Sequence, residues 1–298
     1  MAKHDRFTEH FYQTAEELWQ ALSPTHEFKK GHEDFVYRGQ ADARWGLLPT
    51  ILRPRNVPPI VSYTEMVDAS DMVFYELAIL QRFAKHCDDV GIPIPNDSQS
   101  FRKTILDTQT ADRFYKDPSL WPNPEILDFM AMAQHHGVPT RLLDWTTRSF
   151  TAAYFAASSA IARFSEWGAD DRLVIWAMDR VGINLHSRIV LHHAPGAVSR
   201  HLAAQGGLFT VHPHTCVEGG SFVIEGLETL LEDIDSTPFL KLTLPVYEAA
   251  RLLHLCSRAG FNAATIYPTA DGAGRAVLDD MNTEGARTRW NIDSIRVR

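Results

Sequence analysis

Residues 133–146 of this chain read AQHHGVPTRLLDWT, a segment that combines charged, aromatic and hydroxyl side chains within fourteen positions. Gly137 and Pro139 predict a turn inside it, and an apolar, alanine-rich stretch from Phe150 to Phe164 follows with a helical pattern. Polar side chains gathered around a turn, with buried structure behind them, are typical of a ligand site. This segment is therefore the first candidate for function.

The pattern of apolar residues outward from this segment predicts mainly helices before it and strands after it. Helices are predicted at 12–22 with Thr14 as N-cap, 63–86, 124–134, 150–164 and 246–258. Strands are predicted at 35–38, 173–178, 208–211, 222–224, 240–244, 263–267 and 290–297. This order predicts an α+β fold of one domain, with a helix-rich first half packed on a mixed or antiparallel sheet. Residues 1–34 are predicted to be an N-terminal helical extension.

Composition indicates an ordinary globular protein. The 298 residues are 45% hydrophobic and 22% charged, and the formal net charge is −8, which lacks the overall basic character of duplex-binding proteins. No window of 18 apolar residues is present, so no membrane contact is expected. Three widely separated cysteines, Cys87, Cys216 and Cys256, predict free thiols and a cytoplasmic location.

The first candidate binding group is Arg38, which follows the apolar residues 35–37 and precedes Gly39. An arginine at the end of a strand presents a fork of donors that suits a phosphate or ribose hydroxyl, and glycine allows close backbone approach. A surface arginine paired with a carboxylate is an equally open interpretation.

Within residues 134–146, structural interpretations compete with functional ones. His136 is better explained as a packed or C-capping histidine than as a ligand. Arg141 and Asp144 form a structural ion pair in one interpretation, and Trp145 either stacks on a ligand or fills the core. His135 and His136 are adjacent and point in different directions, so no metal site is expected.

Two later segments carry weaker signals. Gln205 precedes Gly206, Gly207 and a predicted strand, where its amide would reach ligand hydroxyls. Residues 267–274 are better explained as a helix start with Asp271 in its first turn than as a phosphate-binding loop. Neither a Gly-x-Ser-x-Gly elbow nor a P-loop is present, which disfavours serine hydrolases and nucleotide kinases.

Several of these motifs resemble the FRG domain. The resemblance is carried by Tyr37-Arg38-Gly39, Trp45-Gly46-Leu47-Leu48-Pro49-Thr50, Arg53, Glu76 ahead of Phe83, residues 134–146, and Ala153-Tyr154-Phe155-Ala156. Its later motifs are similar to Gln205, Gly207 and Phe209, and to Pro268, Asp271 and Gly272, with Thr269 where the family usually has aspartate. The resemblance runs from about Phe35 to Leu278 and implies a single FRG domain over residues 1–298.

The order of these motifs is also similar to that of ADP-ribosyltransferases, and so implies an ADP-ribosyltransferase-like fold. Those enzymes hold NAD with an arginine, seat the nicotinamide ribose on a middle strand and carry a late glutamate. The similarity implies that NAD is a substrate, bound by Tyr37, Arg38, Gly39, His135, Arg141, Trp145 and Thr146. It also places Gln205 where the glutamate usually stands.

The glutamine bears on catalysis because it carries no charge. Cleavage of a glycosidic bond passes through an oxocarbenium-like state that favours a nearby carboxylate. Asp144 is the first candidate for that role, followed by Glu76 or Glu218, and the catalytic residues expected are Asp144, Gln205 and Glu76.

The resemblance implies an enzyme that cleaves NAD at the nicotinamide–ribose bond and transfers ADP-ribose to a protein or nucleic acid, as a bacterial toxin or phage-defence effector would. A non-catalytic nucleotide- or nucleic-acid-binding module is the main alternative. A metal-independent nuclease that uses His135 and Arg141 is a third.

Overall fold

A seven-stranded mixed sheet forms the centre of the protein, in the order β1-β7-β4-β2-β3-β6-β5. The structure is a computed structural model and describes residues 7–26, 34–53, 68–107, 112–186, 189–195, 204–214, 224–230 and 238–292. The strands are β1 (Phe7–Phe11), β2 (Phe35–Gln40), β3 (Leu142–Thr146), β4 (Arg172–Asp179), β5 (Val190–His192), β6 (Gly207–Val211) and β7 (Phe239–Pro245). Among these described strands, β1 and β7 pair in parallel and all other neighbours pair antiparallel.

Ten α-helices accompany the described part of the sheet. They are α1 (Ala15–Leu22), α2 (Ala69–Asp89), α3 (Gln99–Phe101), α4 (Asp112–Lys116), α5 (Leu127–His135), α6 (Ser149–Ile161), α7 (Arg180–His186), α8 (Ala249–Arg258), α9 (Ala263–Ile266) and α10 (Ala270–Trp290). Short 3₁₀ turns lie at Thr50–Leu52, Pro118–Leu120, Pro124–Ile126, Phe164–Glu166, Leu227–Thr229 and Val246–Glu248, and a π-helical turn at Arg102–Leu106. The predicted α+β class and mixed sheet are therefore confirmed. Over the described ranges, no helix is both long and apolar enough to cross a bilayer.

Strand alternation gives the sheet two differently covered faces. Tyr37 belongs to a core that α1, α6 and α8 form with one face. Its neighbour Val36 packs with Trp145 and Trp176 in a separate core on the other face. The helical face is itself divided, because α2 and α5 form a further core against Leu142 and Phe209, toward the β6 end of the sheet.

Local sequence signals explain most element boundaries. Thr14 begins α1 with a capping box, in which its hydroxyl accepts from the Glu17 N–H and the Glu17 carboxylate accepts from the Thr14 N–H. Gly260 follows α8 with φ +85°, the left-handed conformation that favours glycine at a helix end. The helices predicted at 12–22, 124–134, 150–164 and 246–258 are confirmed, as are the strands predicted at 35–38, 173–178, 208–211 and 240–244.

Four predictions about secondary structure need correction or fall partly outside the described residues. Residues 263–267 were predicted as a strand, but α9 forms there because Asn262 caps it and exchanges hydrogen bonds with Thr265. Trp290 ends α10 instead of starting a strand, while residues 293–297 lie outside the described residues. The same holds for residues 63–67 of the predicted long helix and residues 222–223 of a predicted strand.

The helices do not cluster in the first half of the chain as the sequence pattern predicts. At 21 residues, α10 is as long as α2, and it closes the described chain. The N-terminal segment also adds an edge strand: β1 pairs with β7 from Phe7–Phe239 to Phe11–Thr243, so this segment contributes to the sheet as well as supplying α1.

Gly39 permits the close packing of α6 on β2. A Cβ atom at this position would lie 2.0 Å from the Ala152 carbonyl oxygen and 2.6 Å from the Ala156 nitrogen. Both neighbours are backbone atoms of a buried helix, so neither can move aside easily. The glycine was predicted to allow close approach to a ligand, but the close approach that the structure records is to α6.

We predict that Gly39→Ala destabilises the protein by about 3 kcal/mol, the upper end for overpacking, because the obstruction is backbone. Gly274→Ala is the matched control, since a Cβ there would meet no atom within 4 Å and alanine is the better helix former. Urea unfolding measures both changes. Equal stability of Gly39→Ala and wild type would contradict the prediction.

Candidate functional site

A cleft of about 1330 Å³ opens on the helical face of the sheet, between α5 on one side and α6 and α10 on the other. We call the residues that β2 and β3 contribute the sheet side: Tyr37, Arg38, Gly39, Asp144, Trp145 and Thr146. The α10 side consists of Tyr267, Ala270, Asp271, Gly274, Arg275 and Leu278. Thr50, Ala131, Gln134, His135, His136, Phe155, Ser159, Gln205 and Phe209 complete the lining.

Arg38 lies at the centre of the sheet side. Its Nη1 donates to the Asp144 carbonyl oxygen at 2.8 Å and lies 3.5 Å from Asp144 Oδ2. The side chain is 14% exposed, and its buried Nε has no hydrogen-bond partner among the described residues. Burial lowers the pKa of Arg38 to about 10, with the Asp144 carboxylate opposing the shift and Arg53 adding to it. Arg38 therefore stays protonated at neutral pH with donor capacity unused.

Asp144 presents its carboxylate to the cleft, with the side chain 59% exposed. Gln134 Nε2 donates to Asp144 Oδ1 at 2.7 Å, and Oε1 of the same side-chain amide accepts from the Thr140 hydroxyl. Because both ends of the Gln134 amide are engaged, the carboxylate is held in one orientation. Gln134 lies in the central motif, but no sequence signal marked it as a site residue.

Gln205 reaches the same cleft from a distant part of the chain. Its backbone carbonyl accepts from Thr146 Oγ1 at 2.6 Å, and Gly206 follows with φ +61° at the start of β6. Thr146 therefore anchors the segment before β6 to the end of β3. Arg38, Asp144 and Gln205 thus line one cleft, whereas the predicted role of the Gln205 amide stays a prediction.

The remaining predicted binding residues differ in how far their side chains are exposed to the cleft. Tyr37 lines the cleft but is only 5% exposed, and His135 is exposed on the α5 side. Trp145 belongs to the core of the opposite face, where its indole Nε1 donates to Thr210 Oγ1 at 3.0 Å. Trp145 therefore fills core instead of stacking on a ligand. His136 caps α5 and packs near Phe83, with ring centroids 6.4 Å apart, as predicted.

Glu76 and Arg141 form a buried ion pair behind the cleft and do not line it. Arg141 Nε donates to Glu76 Oε2 at 2.7 Å, its Nη2 donates to the other carboxylate oxygen, and Nη1 donates to the His212 carbonyl at 2.8 Å. The side chains are 2% and 1% exposed. Trp121 Nε1 also donates to Glu76 at 2.9 Å. Neither residue is free to contact NAD, so their predicted site roles are not supported.

The proposed structural ion pair between Arg141 and Asp144 is wrong. Arg141 pairs with Glu76 on α2, while Asp144 lies beside Arg38 on β2. Glu218, the other candidate acid, lies outside the described residues. Asp144 is thus the predicted acid that the structure brings into the cleft.

The α10 side contains groups that sequence analysis missed. Arg275 lies over the Tyr267 ring, its guanidinium carbon 4.6 Å from the centroid, and Phe155 meets the same ring edge-on at 6.2 Å. Asp271 lies in the first turn of α10, as predicted. No sequence signal marked Arg275, because its place in the cleft depends on how α10 packs on α6.

His212 and His214 extend the buried network around Arg141. Arg141 Nη2 donates to His214 Nε2, an arrangement that requires a neutral imidazole. Burial and then the Arg141 charge lower the pKa of His212 to about 3 and that of His214 to about 2. Across the described ranges, no cluster of three or more His, Cys, Asp or Glu side chains is arranged to hold a metal ion.

Comparison with protein families relates this site to a known domain. Residues 33–163 match the FRG domain. The match covers β2, α5, β3 and α6, and so supports the FRG resemblance over the sheet side of the cleft. The extension of the FRG resemblance to Leu278 stays a prediction, as does one domain over the whole chain. No curated protein and no solved structure matched the chain in the other two comparisons.

We predict that Glu76→Ala destabilises the protein by about 3–5 kcal/mol, because it leaves the Arg141 charge buried without its partner. Asp144→Asn should change the free energy of unfolding by less than about 1 kcal/mol, since this side chain is mostly exposed. The free energy of unfolding of both variants, measured in urea, distinguishes a residue that stabilises the fold from one that serves only the site. Similar losses in the two would show that Asp144 is also scaffold.

We predict that stability falls as the pH drops below about 6.5. The folded pKa values of His212 and His214 lie far below the unfolded value, so only the unfolded chain takes up these protons. The loss is on the order of 2 kcal/mol per histidine at pH 5. Urea unfolding between pH 7 and 5 should show a shallower dependence for His214→Gln than for wild type. The exposed His86→Gln is the control, and an unchanged slope in His214→Gln would refute the assignment.

Proposed function

We propose that this protein binds NAD in the cleft, cleaves the nicotinamide–ribose bond and transfers ADP-ribose to a protein or nucleic acid. The observation that carries the proposal is the convergence of the Arg38 guanidinium, the Asp144 carboxylate and Gln205 on one cleft. These three groups come from β2, β3 and the residues just before β6, the order that the similarity to ADP-ribosyltransferases implies. The proposal includes an ADP-ribosyltransferase-like arrangement of this sheet.

The state of Arg38 supports an anionic ligand. Its positive charge is held in a largely buried position by the Asp144 backbone carbonyl and the Asp144 carboxylate 3.5 Å away, and its Nε lacks a partner among the described residues. A buried donor without a partner costs roughly 1–3 kcal/mol, which a phosphate oxygen would recover. The pyrophosphate of NAD supplies such oxygens next to the ribose that must react.

Asp144 is the group we assign to bond cleavage. When the bond between the ribose C1′ and the nicotinamide nitrogen breaks, its electron pair leaves with nicotinamide and positive charge develops on the ribose. A fixed carboxylate beside C1′ stabilises that charge, and Gln134 holds Asp144 in place without adding charge of its own. The acceptor nucleophile then bonds to C1′, and Asp144 or solvent takes its proton.

Gln205 is assigned to orienting ribose hydroxyls with its amide. The neutral side chain also favours the second candidate function, a non-catalytic nucleotide- or nucleic-acid-binding module, in which Arg38 and the exposed His135 and His136 hold phosphate. A role as a bacterial toxin or phage-defence effector belongs to the catalytic proposal, as does a cytoplasmic location with access to NAD.

The test is release of nicotinamide from NAD labelled in the nicotinamide ring, with transfer of label followed separately in NAD labelled in the adenine. We expect release by the wild-type protein and a loss of about 100-fold or more in Arg38→Gln and Asp144→Asn, the scale of removing one transition-state contact. Thermal melts check that both variants fold.

Arg287→Gln is the matched control, because Arg287 is exposed on α10 and does not line the cleft. It should release nicotinamide at the wild-type rate. Tight, Arg38-dependent binding of NAD or oligonucleotides without any release would favour the binding module. Absence of both binding and release by a folded protein would remove NAD as the substrate.

A further inference from the structure

The α10 side of the cleft carries a cation, Arg275, that forms no ion pair with the residues that the structure describes. Arg275 is exposed in the second turn of α10 and lines the cleft. Among the described residues it forms no ion pair, and its guanidinium rests on the face of Tyr267 at 4.6 Å. A cation–π contact of this kind orients the guanidinium plane without cancelling its charge.

The ring beneath Arg275 is itself held in place. Phe155 of α6 contacts it edge-on, with centroids 6.2 Å apart and planes at 80°. Gly272 brings α10 against the backbone of Tyr267, since a Cβ there would lie 1.9 Å from the Tyr267 carbonyl oxygen. Asp279 further along α10 accepts from the Tyr154 hydroxyl at 2.8 Å and the Ser158 hydroxyl at 2.6 Å, which fixes the helix on α6. Arg275 therefore projects from a fixed support.

Asp144 on the sheet side and Tyr267 and Arg275 on the α10 side line one cleft. Burial raises the pKa of this phenol, the Arg275 charge opposes that rise, and the Asp144 carboxylate adds to it. A group on the sheet side and a group on the α10 side thus act on one hydroxyl. A ligand that spans the cleft would meet Arg275 as well as Arg38, because both arginines line it.

The negative charge of Asp271 partly offsets the positive charge of Arg275. Asp271 lies four residues before Arg275, on the same side of α10, and lines the cleft. Residues at this spacing commonly pair on a helix, yet Arg275 lies over the Tyr267 ring and forms no ion pair with Asp271. The guanidinium fork thus remains available, while the neighbouring carboxylate reduces its pull on an anion.

We propose that Arg275 is the second anion-binding group of the cleft and that, together with Arg38, it selects ligands that carry a diphosphate over ligands with one phosphate. Two arginines on different elements can each engage one phosphoryl group, which a monophosphate cannot satisfy. This inference shares its cleft with the proposed function and names the substrate class as nucleotides with a pyrophosphate.

The test is calorimetric titration of the full chain with ADP-ribose, ADP and AMP. We expect wild type to prefer ADP-ribose and ADP over AMP by about tenfold or more, the scale of one charged hydrogen bond. Arg275→Gln should weaken diphosphate binding by that factor and leave AMP binding nearly unchanged. Arg275→Lys should retain part of the preference, and Asp271→Asn should increase it.

Arg287→Gln controls for net charge on the same helix and should leave all three affinities unchanged. An ADP-to-AMP ratio that is the same in Arg275→Gln and wild type would overturn the inference, as would wild-type protein without a preference or without binding. The outcome is separable from that of the proposed function. If the protein prefers diphosphates through Arg275 but releases no nicotinamide, the diphosphate site stands and the proposed reaction is wrong. If it releases nicotinamide without that preference, the reaction stands and the role of Arg275 is wrong.

Discussion

One hydrogen bond within the cleft, from the Arg38 guanidinium to the Asp144 backbone carbonyl, links β2 to β3 through a side chain. Over the described residues of both strands, β2 and β3 are aligned only at Tyr37 and Thr146. In a regular ladder, the backbone of β2 would supply the donor for a carbonyl on β3. Here a side chain supplies it, so the strands are joined across a gap and a charged group lies between them. The sheet stays continuous while its centre presents a cation to the cleft.

The packing of α6 is the second constraint, and it is set by a single residue. Gly39 follows Arg38 directly, and its lack of a side chain lets α6 lie against β2. On the opposite side of the cleft, α5 ends at His135, and Gly137 turns the chain with φ +85° toward β3. The space between these helices is therefore determined by the same short motifs that carry the polar groups.

Elements with strong local signals could be predicted from the sequence. The buried run of β4, the Thr14 cap of α1 and the glycine after α8 each act within a few residues, and each prediction is confirmed. The failure at 263–267 has a local cause as well. Asn262 and Thr265 form a capping box, a sequence signal that a short apolar run obscured.

The site was predictable where one motif carries it and unpredictable where distant elements meet. Arg141 and Asp144 are three residues apart, a spacing that sends side chains to opposite faces of a strand and argues against their pairing. The true partner of Arg141, Glu76, lies 65 residues earlier, and only packing of α2 on the sheet brings it there. Arg275 likewise reaches the cleft because Asp279 and Gly272 hold α10 in place. The spacing of apolar residues in the sequence does not predict these contacts.

The charge of the cleft differs from that of the chain for a physical reason. The net charge of −8 describes a surface where carboxylates are solvated and screened, and it says little about a partly buried group. Arg38 keeps its proton because its pKa of about 10 is still well above neutral pH, despite burial. The hydrogen bond from Arg38 to the Asp144 backbone carbonyl does not cancel the positive charge. The Asp144 carboxylate, 3.5 Å away and mostly exposed, neutralises that charge only in part. An anion that reached Arg38 would gain a charged hydrogen bond in a setting where water screens weakly, so binding strength at this point depends more on burial than on the number of charges.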